Sequence, residues 1–155
     1  MRIIFSLAAA LLVATPALAG GNDWVPPVTD AVVQKECGAC HMAFQPAFLP
    51  ARSWDRMMNE LDKHFDEDAS LPADKAKIIR DYMTANAGDV VTKGRARKYM
   101  QWVNPGATPQ RITANPDFER KHRFADKVWQ DPKVVTKSNC PACHMGADRG
   151  LYDDD

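Results

Sequence analysis

The sequence lacks the patterns that predict a β-sheet protein, a repeat array or a membrane protein. No alternation of apolar and polar residues persists, as a half-buried strand would require. Outside two short cysteine motifs no internal repeat stands out, and there is no low-complexity linker. What remains is short stretches of helical periodicity, separated by Pro and Gly. They predict an all-α, loop-rich domain.

Only one long hydrophobic run is present, and it lies at the N-terminus. Arg2 precedes an apolar segment from Ile3 to Val13, and Ala17-Leu18-Ala19 has the small residues of a cleavage site. The apolar segment is shorter than the ~20 residues that a membrane span needs. We therefore predict a secretory signal peptide over residues 1–19 and one periplasmic domain over residues 20–155, with no membrane span in the mature chain.

All four cysteines fall in two copies of the pattern C-x-x-C-H, and none is left over. The copies are Cys37 and Cys40 followed by His41, and Cys140 and Cys143 followed by His144. In this pattern two thiols add across the vinyl groups of one haem, and the adjacent histidine ligates its iron. Disulfides are the alternative in an exported protein, but a histidine directly after each cysteine pair fits them poorly. The sequence predicts two covalently attached c-type haems.

Two further histidines, His64 and His122, are candidates for the second axial position of each iron. His64 follows the apolar stripe of a helix predicted to run from Ser53 to Phe65. His122 shares a face with Phe118 on a helix predicted to begin at Asn115-Pro116 and to continue to Trp129. A buried histidine bonded to a carbonyl is the ordinary alternative. Since two irons each lack a ligand and two histidines remain, we favour ligation.

The pairing of these histidines follows the chain order in our interpretation. His64 is assigned to the first haem with His41, and His122 to the second haem with His144, although a crossed pairing stays open. Methionine is the competing ligand and would raise the potential of its haem. Met57, Met58, Met83 and Met100 stand at helical positions typical of core residues.

Charge is balanced overall and unevenly distributed along the chain. Residues 21–70 hold nine acids and four bases, net −5; residues 71–137 hold fourteen bases and seven acids, net +7; residues 138–155 hold four acids and one base, net −3. Such a separation can orient redox partners at low salt. Solvated faces with no partner explain the charge equally well.

Beyond the two motifs, several segments of the chain are similar to those of the small soluble dihaem cytochromes c. They are Phe48-Leu49-Pro50 with Trp54, Pro109 with Arg111-Ile112-Thr113, Phe118 with His122, and Ala147 with Gly150-Leu151-Tyr152. The resemblance implies bis-histidine ligation of both haems, with His64 and His122 as the distal ligands. It also implies an electron shuttle between a membrane quinol-oxidising cytochrome b and a soluble haem protein, namely a high-spin, oxygen-binding monohaem cytochrome.

On this interpretation the protein is not an enzyme, and binding of nucleic acid is not expected of an exported haem protein. Histidine on both sides of each iron favours low potentials. Two other functions stay open. One is the small dihaem subunit of a periplasmic nitrate reductase. The other is a ligand-binding or catalytic haem protein, which would require that one distal histidine be absent from its iron.

Overall fold

The computed structural model describes residues 23–152 and consists of short helices joined by loops. The α-helices are α1 (Ala31–Cys37), α2 (Ala51–Asn59), α3 (Ala73–Ala85), α4 (Ala96–Met100), α5 (Pro116–Lys121) and α6 (Asp126–Trp129). Single 3₁₀ turns lie at Pro46–Phe48, Leu61–Lys63, Ile112–Ala114, Cys140–Ala142 and Ala147–Arg149. Over this range β-structure is limited to two isolated bridges, so the predicted all-α, loop-rich class is confirmed.

The predicted signal peptide, residues 1–19, lies outside the described residues. Of the helices between residues 23 and 152, none has both the length and the apolar character needed to cross a bilayer.

The first half of the domain is a small three-helix core. Helices α1 and α2 both pack on α3, and Val33, Leu49, Trp54 and Ile79 are buried between them. Helix α1 begins where the Asp30 carboxylate accepts hydrogen bonds from the backbone of the next turn, at 2.9 and 3.0 Å. This helix ends at Cys37, so packing of α1 on α3 positions the first cysteine motif.

The second half has a separate core and much shorter helices. Val25, Phe48, Tyr99 and Phe118 are its largest buried apolar side chains. Helix α5 begins as predicted, because the Asn115 side chain accepts a hydrogen bond of 2.8 Å from the backbone N–H of the second helical residue. Pro116, which has no N–H to satisfy, occupies the first helical position.

Both ends of the described chain meet beside the second motif. Val25 N donates to Gly150 O at 2.9 Å, and Tyr152 N donates to Asp23 O at 3.0 Å. Gly150 has φ +80, and a Cβ there would lie 2.1 Å from Val25 O, so this junction requires glycine. The segment after the second motif is thereby fastened to the segment before α1.

Neither His64 nor His122 lies within a helix, and that part of the prediction is wrong. Helix α2 ends at Asn59, and His64 opens a turn closed by a hydrogen bond of 3.1 Å from Glu67 N to His64 O. Phe65 and Asp66 have φ of 52 and 75, values that no α-helix contains. Helix α5 ends at Lys121, so His122 terminates it. Trp129 belongs to the separate helix α6.

Candidate functional site

One cavity of about 1200 Å³ receives side chains from both cysteine motifs. All eight predicted site residues line it: Cys37, Cys40, His41, His64, His122, Cys140, Cys143 and His144. Its volume exceeds the ~300–1,000 Å³ of a pocket for one small molecule. Much of the remaining lining is apolar and aromatic, including Phe48, Trp54, Phe118 and Trp129. The cavity therefore suits more than one large, flat, apolar group.

His41 and His64 face one another across the first end of this cavity. Their ring centroids are 6.1 Å apart and their planes differ by 26°. His41 Nδ1 lies 2.8 Å from Met42 O. Because a carbonyl only accepts, Nδ1 donates there and Nε2 keeps its lone pair. Burial, with smaller contributions from His41 and Arg111, lowers the pKa of His64 and favours the neutral ring that can ligate a metal.

His122 and His144 face one another in the same way at the second end. Their ring centroids are also 6.1 Å apart, but their planes differ by 77°. His122 Nδ1 lies 2.9 Å from Phe118 O, which directs its Nε2 lone pair away from α5. The His122 ring also stacks on Phe118, with centroids 3.9 Å apart. These two contacts hold the ring at the end of the helix.

The spacing of both pairs is that of two imidazoles on one metal ion. With metal–nitrogen bonds of about 2 Å, two such rings on opposite sides of an ion have centroids roughly 6 Å apart. The structure thus brings each C-x-x-C-H histidine together with the remaining histidine nearest to it in the chain.

The two motifs also present their thiols alike. In each motif the first cysteine is half-buried and the second is exposed. Burial raises the pKa of both Cys37 and Cys140 to about 11. Repulsion from Glu36 adds to the shift at Cys37. The first thiol of each motif therefore borders the apolar interior of the cavity, and the second lies at its rim.

An ion-pair network holds helix α5, and so His122, against the N-terminal segment. Asp117 has a side chain that is only 2 % exposed, and it accepts from Arg95 at 2.9 Å and from Arg120 at 2.6 Å. Arg95 also reaches Asp23, to which Lys121 donates at 2.7 Å. Burial alone would raise the pKa of Asp117, but the two guanidinium groups outweigh it and lower that pKa.

Gln45 joins the two halves of the site, a role that no sequence pattern indicated. Its side chain is fully buried, with Nε2 donating to Ala147 O at 2.7 Å and Oε1 accepting from the Tyr152 hydroxyl at 2.6 Å. The Tyr152 ring in turn lies 5.4 Å from the His144 ring. A residue four positions after His41 therefore helps to position the second motif. No local pattern indicates a contact across more than a hundred residues.

Arg111 supports the position of His64 and was likewise absent from the predicted site. Its guanidinium carbon lies 4.2 Å from the centre of the Phe65 ring. Phe65 in turn meets the His64 ring edge-on, with centroids 4.8 Å apart. This stack covers the left-handed turn after His64.

A family model described as dihaem cytochrome c matches residues 33–152. The chain belongs to this family. Dihaem cytochromes c carry two c-type haems with iron, and the family implies electron transfer and redox partners. The recognition of the chain from its motifs is therefore confirmed.

Solved structures of dihaem cytochromes c share its fold. One is the diheme cytochrome c from Rhodobacter sphaeroides, with 43% identity, a TM-score of 0.74, and coverage of 83% of this chain and 100% of that one. Another is the diheme cytochrome type c from Shewanella baltica OS155, with 32% identity, a TM-score of 0.64, and coverage of 79% of this chain and 86% of that one.

A curated cyclomaltodextrinase from Thermoanaerobacter pseudethanolicus is 38% identical over 50 residues, which is 32% of this chain. The match spans only 8% of that protein's length, so it indicates no activity for the dihaem cytochrome.

The residues present fit two covalently bound haems. Each end of the cavity has two thiols and two facing imidazoles, and the apolar lining suits a porphyrin. His144 Nδ1 is buried and has no hydrogen-bond partner within residues 23–152. It differs in this from Nδ1 of His41 and of His122, each of which lies within hydrogen-bond distance of a backbone carbonyl, so the fit at the second end rests on the thiols, the facing rings and the apolar lining. At both ends the cysteines would hold a haem, and its iron would meet the facing histidines.

Proposed function

We propose that this dihaem cytochrome c is an exported electron carrier in which both irons have two histidine ligands. His41 and His64 hold the first iron, and His144 and His122 hold the second. The observation that carries the proposal is the presence of two facing imidazole pairs with equal ring separations of 6.1 Å in one apolar cavity. The haems supply reversible one-electron exchange between ferric and ferrous iron.

The side chains keep both axial positions closed. His64 is held by the turn to Glu67 and by the Phe65 ring, and His122 is held by its bond to Phe118 O. With both positions filled by imidazole, oxygen, carbon monoxide and substrates have no site at which to coordinate. A change of one electron then needs little movement of the surrounding chain, which favours fast transfer over bond chemistry.

The donor set also favours low reduction potentials. Imidazole on both sides stabilises ferric iron relative to a methionine ligand. The carbonyl bonds of His41 Nδ1 and His122 Nδ1 push electron density toward Nε2, the nitrogen that would face iron, and strengthen the effect. We infer a place between a membrane cytochrome b that oxidises quinol and a soluble haem-protein acceptor in the periplasm. Its support is the family, together with the export signal expected over residues 1–19.

The test is to remove one distal histidine at a time and to record absorption spectra and carbon monoxide binding. His64→Ala and His122→Ala should each convert one of the two haems to a high-spin form that binds carbon monoxide when reduced. The wild-type protein should show no high-spin band and no rapid binding of carbon monoxide.

Met57→Leu and Met58→Leu are the matched controls, because both methionines line the same cavity. They should leave the spin state unchanged. Rapid carbon monoxide binding by wild-type protein, or a change of spin state in a methionine variant, would contradict the ligand assignment.

A further inference from the structure

The two ends of the cavity carry opposite charge at the surface. The exposed charged residues beside His64 are four carboxylates and two cations: Asp62, Asp66, Glu67 and Asp68 with Lys63 and Arg111. Beside His122, Lys121 and Lys137 line the rim together with Asp23, which pairs with Lys121. The exposed Arg123 and Lys127 follow within five residues of His122, with the exposed Asp126 between them. The named charges therefore sum to −2 around the first histidine pair and to +2 around the second.

An exposed aromatic ring leads from the second histidine pair to the surface. Phe124 is 49% exposed, and its ring lies 5.9 Å from His122 and 5.7 Å from Trp129. The ammonium of Lys137 lies 5.3 Å from the centre of the Trp129 ring. Apolar and aromatic surface surrounded by cations is a composition suited to a protein interface.

Some cations at this end are neutralised by ion pairs within the fold, and others are not. Arg120 and Lys121 pair with Asp117 and Asp23. In contrast, no carboxylate within residues 23–152 forms an ion pair with Lys127 or Lys137. Unpaired surface cations give a field that reaches about a Debye length, roughly 8 Å at physiological salt. Such a field attracts an acidic partner and orients it before contact.

We propose that Arg123, Phe124, Lys127 and Lys137 form the docking surface for an acidic redox protein, which accepts electrons at the His122 end. We call this set the basic rim. The inference rests on the proposed function and deepens it by naming the partner's charge. Positive surroundings favour the extra electron at this end, and the carboxylates near His64 repel an acidic protein. In the exchange the cytochrome is oxidised by one electron and the partner is reduced by one. No bond forms and no proton moves.

The test uses one acceptor protein in two charge states. Mitochondrial cytochrome c is basic, and succinylation of its lysines makes it acidic without changing its haem. Stopped-flow transfer from the reduced dihaem protein is measured with each acceptor at low and high salt. Lys127→Glu/Lys137→Glu should slow transfer to the succinylated acceptor about tenfold at low salt. At high salt the loss should shrink to less than about twofold.

Lys77→Glu/Arg80→Glu is the matched control, with the same change of charge on α3 in the first half. It breaks only exposed ion pairs, each of which contributes little to stability. The rate of transfer to the succinylated acceptor should stay within about twofold of the wild-type rate. An equal loss in this control, or no loss in the basic-rim variant, overturns the inference.

A second copy of the chain or an anionic membrane could occupy the basic rim instead, and each has its own measurement. Sedimentation of wild type and the basic-rim variant is followed alone and with vesicles of anionic lipid. Loss of self-association or of vesicle binding in the variant, with the transfer rate unchanged, overturns the inference in favour of a second copy or a membrane. A high-spin wild-type protein that reduces neither acceptor defeats the proposed function itself. If wild type and the Lys127→Glu/Lys137→Glu variant reduce both acceptors at the same rates, only the proposed docking surface is wrong.

Discussion

The two histidine pairs have the same separation, yet different kinds of structure hold them. The first depends on helices α1, α2 and α3 and on apolar side chains buried between them. The second depends on short helices, a buried carboxylate between two arginines, and a junction of the two chain ends. The same separation of the two imidazole rings therefore does not require the same scaffold. The first site should be sensitive to loss of apolar volume, and the second to loss of polar contacts.

The largest effect is expected from Trp54→Ala in the first half. Trp54 is 4% exposed, and its indole N–H donates to Pro46 O at 2.8 Å. The truncation removes a large core side chain and should lower the free energy of unfolding by about 3–5 kcal/mol. Guanidinium titration of the holoprotein measures it. Trp102→Ala is the control, since Trp102 is 48% exposed and the expected change is about 0.5 kcal/mol or less.

A smaller loss is expected from Asp117→Asn in the second half. Asparagine keeps one oxygen that can accept from an arginine, so one of the two charge-assisted hydrogen bonds is lost. Since a hydrogen bond to a charged group contributes about 1.5–3 kcal/mol, a loss of about 2–3 kcal/mol at pH 7 is expected. The change should perturb the second haem spectrum and leave the first unaltered. Equal disturbance of both haems would contradict the division into two independently held sites.

The Asp117 carboxylate also makes the free energy of unfolding depend on pH. The pKa of Asp117 lies below its ordinary value of 3.8. Its stabilising contribution is therefore complete above that value and is lost as the pH falls through the lowered native pKa. Wild-type protein should lose stability below about pH 4, and Asp117→Asn should lose less over the same interval. Unfolding titrations at pH 7, 4 and 3 measure both slopes, and parallel slopes would argue against this role for Asp117.

Of the three substitutions, Gln45→Leu should have the smallest effect on stability. It tests whether a residue next to the first motif positions the second site. Leucine fits the space but removes the donor to Ala147 O and the acceptor of the Tyr152 hydroxyl. The expected loss is about 1–3 kcal/mol, with a spectral change at the second haem even though Gln45 follows the first motif. Gln101→Leu, at an exposed position, should change neither quantity. A spectral change confined to the first haem would refute the link.

The sequence predicted what depends on local spacing and missed what depends on packing. Two thiols and a histidine within five residues, present twice and using all four cysteines, indicate haem attachment, so the haem motifs were recognisable. The start of α5 was also recognisable, because Asn115 and Pro116 act within one turn.

The distal histidines show the limit of such reasoning. His64 continues an apolar helical stripe in the sequence, yet the chain leaves the helix at Asn59. The turn after His64 has positive φ at Phe65 and Asp66. Aspartate tolerates this conformation, but phenylalanine does not signal it. Tertiary contacts such as the Arg111 guanidinium on Phe65 offset that local strain.

The paramagnetic resonance spectrum of the ferric protein reports on the ligands of both irons at once. When two imidazole planes on one iron are nearly parallel, both act on the same iron orbital and split the levels widely. When they are nearly perpendicular, the splitting is small. The account therefore predicts two low-spin signals: a rhombic one from the 26° pair of His41 and His64, and a strongly anisotropic one from the 77° pair of His122 and His144. A high-spin signal in the wild-type protein would contradict the claim that histidines close both irons.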